Sequence, residues 1–157
     1  RRRAMSLPAD IRALAERCGG NTYVSKPGPV RARLADLGIA PGCEFHTLFT
    51  TLVMANKMSP HAFESLHAIA DSDGDMNPGI EFAWDVWEVP RRYIALTSLE
   101  GEGGYFYDRE TGAIVDFELA HRESFLGGDV RQIAPGAFAF IRWYLSEGSQ
   151  PRGYAVA

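Results

Sequence analysis

The sequence predicts an α+β fold with N-terminal helices, a central antiparallel sheet of about four to six strands, and a C-terminal covering helix. Three observations lead there. Apolar residues in the first 70 positions recur at three- and four-residue intervals, the period of a helix face. From residue 80 to 117, β-branched and aromatic residues come in short runs broken by closely spaced turns, the pattern of a meander. After Pro135 the helical period returns.

The elements follow in order. Ser6 is positioned to cap a first helix with Pro8 in its first turn, and Leu7, Ile11, Leu14, Ala15 and Cys18 repeat at helical spacing until Gly19-Gly20 stops it. Pro27 and Pro29 open a second helix whose Val30, Leu34 and Leu37 share a face, ended by Gly38. Phe45, Leu48, Phe49, Leu52 and Val53 form a third stripe. Ser59-Pro60, a cap followed by an N1 proline, starts a fourth helix with Phe63, Leu66, Ile69 and Ala70 inward. Residues 71–79 are a polar loop. Ile80 to Val89 reads as a strand, with Ile80, Phe82, Trp84 and Val86 alternating. Tyr93–Ser98, Tyr105–Tyr107 and Ala113–Phe117 are further strands, joined by a glycine-rich turn at Gly101–Gly104 and a polar turn at Asp108–Gly112. Phe138, Phe140, Ile141, Tyr144 and Leu145 form the broad face of the last helix, which Gly148 ends.

Composition fits one globular domain, read as residues 5–150. Residues 1–4 are read as an appended or disordered extension before Met5, and residues 151–157 as a loose tail. With 46% apolar residues the chain can bury a core without a metal or disulfide staple. No window has the run of about 18 apolar residues that a membrane span requires. Cys18 and Cys43 lie in no C-x-x-C pair and are expected as reduced thiols of a cytoplasmic protein. No secretory leader is read at the N-terminus, because Pro8, Asp10 and Arg12 interrupt any apolar run.

Charge is unevenly divided. Residues 71–118 carry twelve Asp or Glu against three Arg, whereas residues 1–70 are net basic. The acidic part repels a phosphate backbone, so direct nucleic-acid binding is not expected. The same field attracts a basic protein.

The motifs carry little chemistry. Asp71-Ser72-Asp73-Gly74-Asp75 resembles the start of a calcium loop. Counting from Asp71, however, an EF-hand needs glycine at Met76 and glutamate at Phe82. Glu100-Gly101-Glu102-Gly103-Gly104 follows a strand but has no lysine and opens no helix, so it reads as a strand-to-strand turn and not a phosphate loop. His46, His61, His67 and His121 have no zinc spacing and are expected as surface or half-buried structural side chains. Ser98 lies in no nucleophile elbow, and Asp116 with Glu118 reads as a solvated pair. Neither a catalytic site, nor a metal, nor a cofactor is expected. Trp84, Trp87, Trp143, Tyr105, Phe106 and Tyr107 have mainly acidic neighbours, which suits core packing and protein contact better than base stacking.

Three stretches resemble the SUKH superfamily, which includes Smi/Knr-type domains. They are Leu34-Ala-Asp-Leu37-Gly38-Ile39 followed by Glu44-Phe45, the run Pro90 to Phe117 with its glycine turn and YD-x-x-T-G turn, and the F-x-x-F-x-x-WYL-like helix at Phe138–Leu145. Cys43 stands where that pattern has serine. The resemblance covers residues 30–147. It implies an α+β fold with a central antiparallel sheet, and a bacterial immunity protein that neutralises a cognate toxin, often one delivered by a contact-dependent or type VI secretion system. It transfers no catalytic or contact residue. The expected partner is thus a protein toxin whose active site is occluded, and a nuclease with a basic cleft would suit the acidic face. Asp71, Asp73, Asp75, Glu81, Glu100 and Glu102 are the expected partner-binding residues. The alternatives are a regulatory adaptor with several partners, or a hydrolase with a dispersed site.

Overall fold

The computed structural model describes residues 4–55 and 64–146. The expected cap at Ser59-Pro60, Phe63, His61, the helix end at Gly148 and the tail 151–157 lie outside the described residues.

Helix α1 spans Ala9–Arg17 and buries Ile11 and Ala15, with Leu7 buried just before it and Cys18 exposed at its end. Ser6 does not cap it. Pro8 is the capping residue, and its carbonyl accepts the first helical bond from Arg12 N at 3.1 Å. The physical reason is the ring of Pro8, which disfavours helical backbone at the residue before it. Helix α2, Pro27–Asp36, has Pro27 in its first turn, buries Val30 and Leu34, and ends as expected at Gly38, whose φ is 73°. Helix α3, Glu44–Thr51, buries Phe45, Leu48 and Phe49. Leu52 and Val53 lie beyond it, where residues 22–24 pair with residues 51–53.

Two expectations are overturned. Leu66 to Ala70 is not helical. Leu66 bridges Thr97, His67 N donates to Leu96 O at 3.0 Å, and Ser98 N donates to Ser65 O at 2.7 Å. The unpaired edge of the sheet captures this segment, and tertiary pairing overrides the helical spacing. Residues 80–89 are not a strand. Helix α4 spans Pro78–Asp85, with the Asn77 side chain accepting from Gly79 N and Pro78 in its first turn. Its inward set is Ile80, Ala83 and Trp84, continued by Trp87. Phe82 and Val86, expected inside, are exposed.

The sheet is an antiparallel meander of β1 (Tyr93–Ala95), β2 (Gly103–Asp108), β3 (Ile114–Glu118) and β4 (Arg131–Ala134), in that spatial order. Its register sets Ile94 opposite Tyr107, Phe106 opposite Val115, and Asp116 opposite Arg131. β1 is shorter than the expected Tyr93–Ser98 run because Thr97 turns its hydroxyl to the backbone of β2, accepting from Tyr105 N at 3.1 Å. β2 begins at Gly103, two residues before the expected Tyr105. Of the expected glycine turn, Gly101 takes the left-handed conformation with φ 67°, followed by Glu102. At Gly104 a Cβ would lie 2.9 Å from Thr97 Oγ1, so that glycine serves close strand approach. Helix α5, Arg122–Leu126, and β4 were not expected.

Helix α6, Ala137–Leu145, covers the core. It buries Phe138, Phe140, Ile141, Trp143, Tyr144 and Leu145. Its capping residue, Gly136, has no side chain, and Glu44 substitutes from α3: Glu44 Oε1 accepts from Phe138 N at 3.0 Å. Asp10 holds Arg142 through both carboxylate oxygens, at 2.6 and 3.2 Å, tying α1 to α6. One apolar cluster runs from Leu7 to Leu145.

Candidate partner-binding surface

The three acidic groups singled out in the sequence sit on three elements. Asp71, Asp73 and Asp75 form a tight turn closed by the Ala70–Met76 bridge. Asp71 N donates to Asp75 O at 2.9 Å, and Asp71 Oδ1 accepts from both Asp73 N and Asp75 N at 2.9 Å. The Asp71 carboxylate is therefore turned back onto its own loop, an Asx-type turn. The loop is docked on α2, where Arg33 Nε donates to Gly74 O at 3.0 Å. Among the described residues, no group of three or more His, Cys, Asp or Glu side chains is arranged to hold a metal ion.

Glu81 lies in the first turn of α4, where a carboxylate is favoured by the helix dipole. Glu100 and Glu102 flank Gly101 in a 3-10 turn between β1 and β2, and both are exposed. Glu102 itself has φ 60°, uncommon for a residue with a side chain. The Leu66–Thr97 bridge is antiparallel, so the chain from Leu66 to Asp71 leads away from Glu100. The six carboxylates thus sit on three separate elements and are not gathered at a point. Asp73, Asp75, Glu81, Glu100 and Glu102 are exposed and make no side-chain hydrogen bond or ion pair among the described residues.

The turn that resembles YD-x-x-T-G is built around a different acid. Asp108 is buried, and both its oxygens accept from Arg92, at 2.8 and 2.7 Å. Thr111 Oγ1 and Glu110 N donate to it as well, at 2.8 and 2.9 Å. Burial pushes its pKa up, but these bonds outweigh burial and bring the carboxyl down to about 2. All of its acceptor sites serve the turn, so this acid is structural.

His46 and His67 lie inside the fold, and Ser98 lies at the edge of the sheet. His67 Nε2 faces Ala95 O at 2.6 Å, and burial lowers its pKa despite that bond. His46 is also buried, and burial and Arg31 both lower its pKa. The Ser98 hydroxyl accepts from Ser65 N at 3.1 Å and stitches the edge of the sheet. Asp116 and Glu118 do share a strand face, which lines an open polar cleft of about 560 Å³ with His121, Ser124, Asp129 and Arg131. There His121 Nδ1 lies 3.3 Å from Glu118 Oε2, both largely exposed. A second, more apolar cleft of about 360 Å³ lies against Val30, Phe49, Leu52 and Ile69.

Sequence reasoning missed the outer face of α4. Phe82 and Val86 are 44% and 60% exposed there, beside exposed Asp85 and Glu88. The Asn77-Pro78 pair, a helix cap followed by an N1 proline, was the signal that could have found it. No helix among the described residues is long and apolar enough to cross a membrane. Compared with family models, with curated proteins and with solved structures, the chain has no significant match in any of the three.

Proposed function

We propose that the chain is a cytoplasmic, non-catalytic immunity protein that binds a cognate bacterial toxin and occludes its active site. The observation that carries the proposal is the set of exposed carboxylates that engage no hydrogen bond or ion pair among the described residues: Asp73, Asp75, Glu81, Glu100 and Glu102. Charged side chains left free in an acidic stretch favour fast capture of a basic surface such as a nuclease cleft. The resemblance to the SUKH superfamily supports the same reading. Asp71 belongs to the same exposed loop, with Oδ1 accepting from the Asp73 and Asp75 amides.

The test starts from the adjacent open reading frame: a toxin domain encoded there should be neutralised on co-expression, read as rescue of growth and as inhibition of the purified toxin. Failure of both sinks the proposal. Glu100→Lys with Glu102→Lys then locates the contact. Affinity should fall at least tenfold and lose salt dependence, because close charge pairs in a tight complex contribute about 1.5–7 kcal/mol of coupling. Unchanged affinity and salt dependence would remove this loop from the interface.

A further inference from the structure

We infer that the outer face of α4 docks a basic protein surface, with Phe82 and Val86 entering an apolar spot on the partner and Glu81 and Asp85 engaging lysine or arginine around it. The inference rests on the protein-binding reading above and names a surface and a partner chemistry for it. Single exposed apolar side chains are ordinary on a protein surface. Among the described residues the large exposed ones are Met5, Tyr23, Phe82, Val86 and Leu126. Phe82 and Val86 alone among them share a helix face, four residues apart.

Phe82 is held in place. Its ring meets Trp87 edge-on with centroids 5.8 Å apart, and Trp87 stacks on Phe117 of β3 at 5.8 Å. The exposed ring is thus the surface end of a series of rings rooted in the core. A side chain fixed in this way loses little rotamer freedom on binding, the property that makes aromatic anchors effective.

The surrounding charge selects the partner. Glu81, Asp85, Glu88 and Glu123 outnumber the two nearby guanidiniums, Arg91 and Arg122. Arg91 lies 3.3 Å from Asp85, with both side chains about two-thirds exposed, so a partner's lysine can displace it at little cost. Arg122 donates to Glu88 and to Trp87 O, the latter at 2.9 Å, and so fastens the end of α4 to α5. A second copy of the chain is a poor occupant, because face-to-face pairing would set Glu81 and Asp85 against the same carboxylates of the other copy.

The probe is an amphipathic lysine–leucine peptide added to the 15N-labelled full chain, with amide shifts followed by NMR. Saturable shifts should centre on residues 81–88. A control peptide with serine for leucine should bind at least tenfold more weakly, and so should the lysine–leucine peptide to Phe82→Ser with Val86→Ser. Should that double variant lose its folded spectrum, Glu81→Lys with Asp85→Lys replaces it, again with at least tenfold weaker binding expected. Shifts centred on the polar cleft or on Glu100–Glu102, undiminished binding by the variants, or no saturation at millimolar peptide would overturn the inference. Concentration-dependent shifts at 81–88 without peptide would overturn it in favour of self-association. The outcome is independent of toxin neutralisation: loss of growth rescue would remove the immunity function and leave this surface standing, and the reverse holds equally.

Discussion

Replacing Asp108 by asparagine removes a charge and keeps the shape of the side chain. Its carboxylate is 5% exposed and bound by Arg92, Thr111 and the Glu110 amide. A carboxyl held at about 2, against an ordinary 3.8, represents roughly 2 kcal/mol of folding free energy at about 1.36 kcal/mol per unit. The carboxyl is the better gauge than the guanidinium, whose side chain is 37% exposed and screened by water. Because the folded pKa is depressed, the contribution is complete above the unfolded value near 3.8 and disappears as pH falls through about 2. Asp108→Asn should therefore cost about 2–3 kcal/mol at pH 7, toward the low side for a broken buried pair, since Arg92 keeps its ion pair with Glu110 Oε2 at 2.9 Å. Urea unfolding of both proteins from pH 7 down to pH 2 makes the comparison, with other carboxylates cancelling in the difference. The gap should narrow between about pH 4 and pH 2. A gap that stays constant, or a cost below about 0.5 kcal/mol, would refute the assignment of Asp108 as the charged centre of its turn.

Cys43 caps α3 with a long 3.5 Å contact from His46 N to Sγ, so Cys43→Ser should raise stability by about 0.5–1 kcal/mol in chemical denaturation. No gain would mean that the cap is not limiting there. Glu44→Ala leaves the start of α6 without its acceptor and should cost about 1–2 kcal/mol. Gly136→Ala should also destabilise, since its Cβ would lie 2.9 Å from Glu44 Oε1; neutrality of both variants would dismiss the cap that α3 gives α6. His67 should titrate below 6.5 by NMR, because burial disfavours its charged form. Its folded pKa being depressed, the wild type should lose stability relative to His67→Gln as pH drops below about 6.5, and a midpoint above that value would contradict the burial argument.

The sequence made some elements plain and hid others for physical reasons. Helix α6 was legible because Phe138, Ile141 and Leu145 repeat on one face with no competing period. The β2–β3 turn was legible because Asp108, Thr111 and Gly112 are turn chemistry at fixed offsets. Residues 80–89 were ambiguous at their anchor points. Ile80 and Trp84, four apart, fit both a two-residue and a 3.6-residue period. The choice turned on Phe82 and Val86 against Ala83 and Trp87, and a small inward alanine carries little weight in an apolar pattern. β4 gave no pattern at all, because only Ile133 and Ala134 of its four residues are buried. At the candidate surface, exposure of the acidic residues was readable from their type. The inward turn of Asp71 depended on hydrogen bonds to backbone two and four residues on, which composition does not reveal.

The carboxylates now separate by what the fold asks of them. Asp10, Glu44, Asp71 and Asp108 each hold a named partner: Arg142, the first turn of α6, an aspartate loop and Arg92. Removing any of them should lower stability. Asp73, Asp75, Glu81, Glu100 and Glu102 hold no such partner among the described residues. Their repulsion at neutral pH opposes folding slightly, so neutralising Asp73, Asp75, Glu100 or Glu102 should leave stability unchanged or raise it, whereas neutralising Glu81 also gives up its favourable place at the start of α4. A fold that tolerates unsatisfied like charge along one stretch, beside an exposed ring on α4, has surface chemistry that its own stability does not require. On the proposed reading that surplus serves recognition: the charge would gather a basic partner, and Phe82 with Val86 would supply the apolar contact that slows its departure.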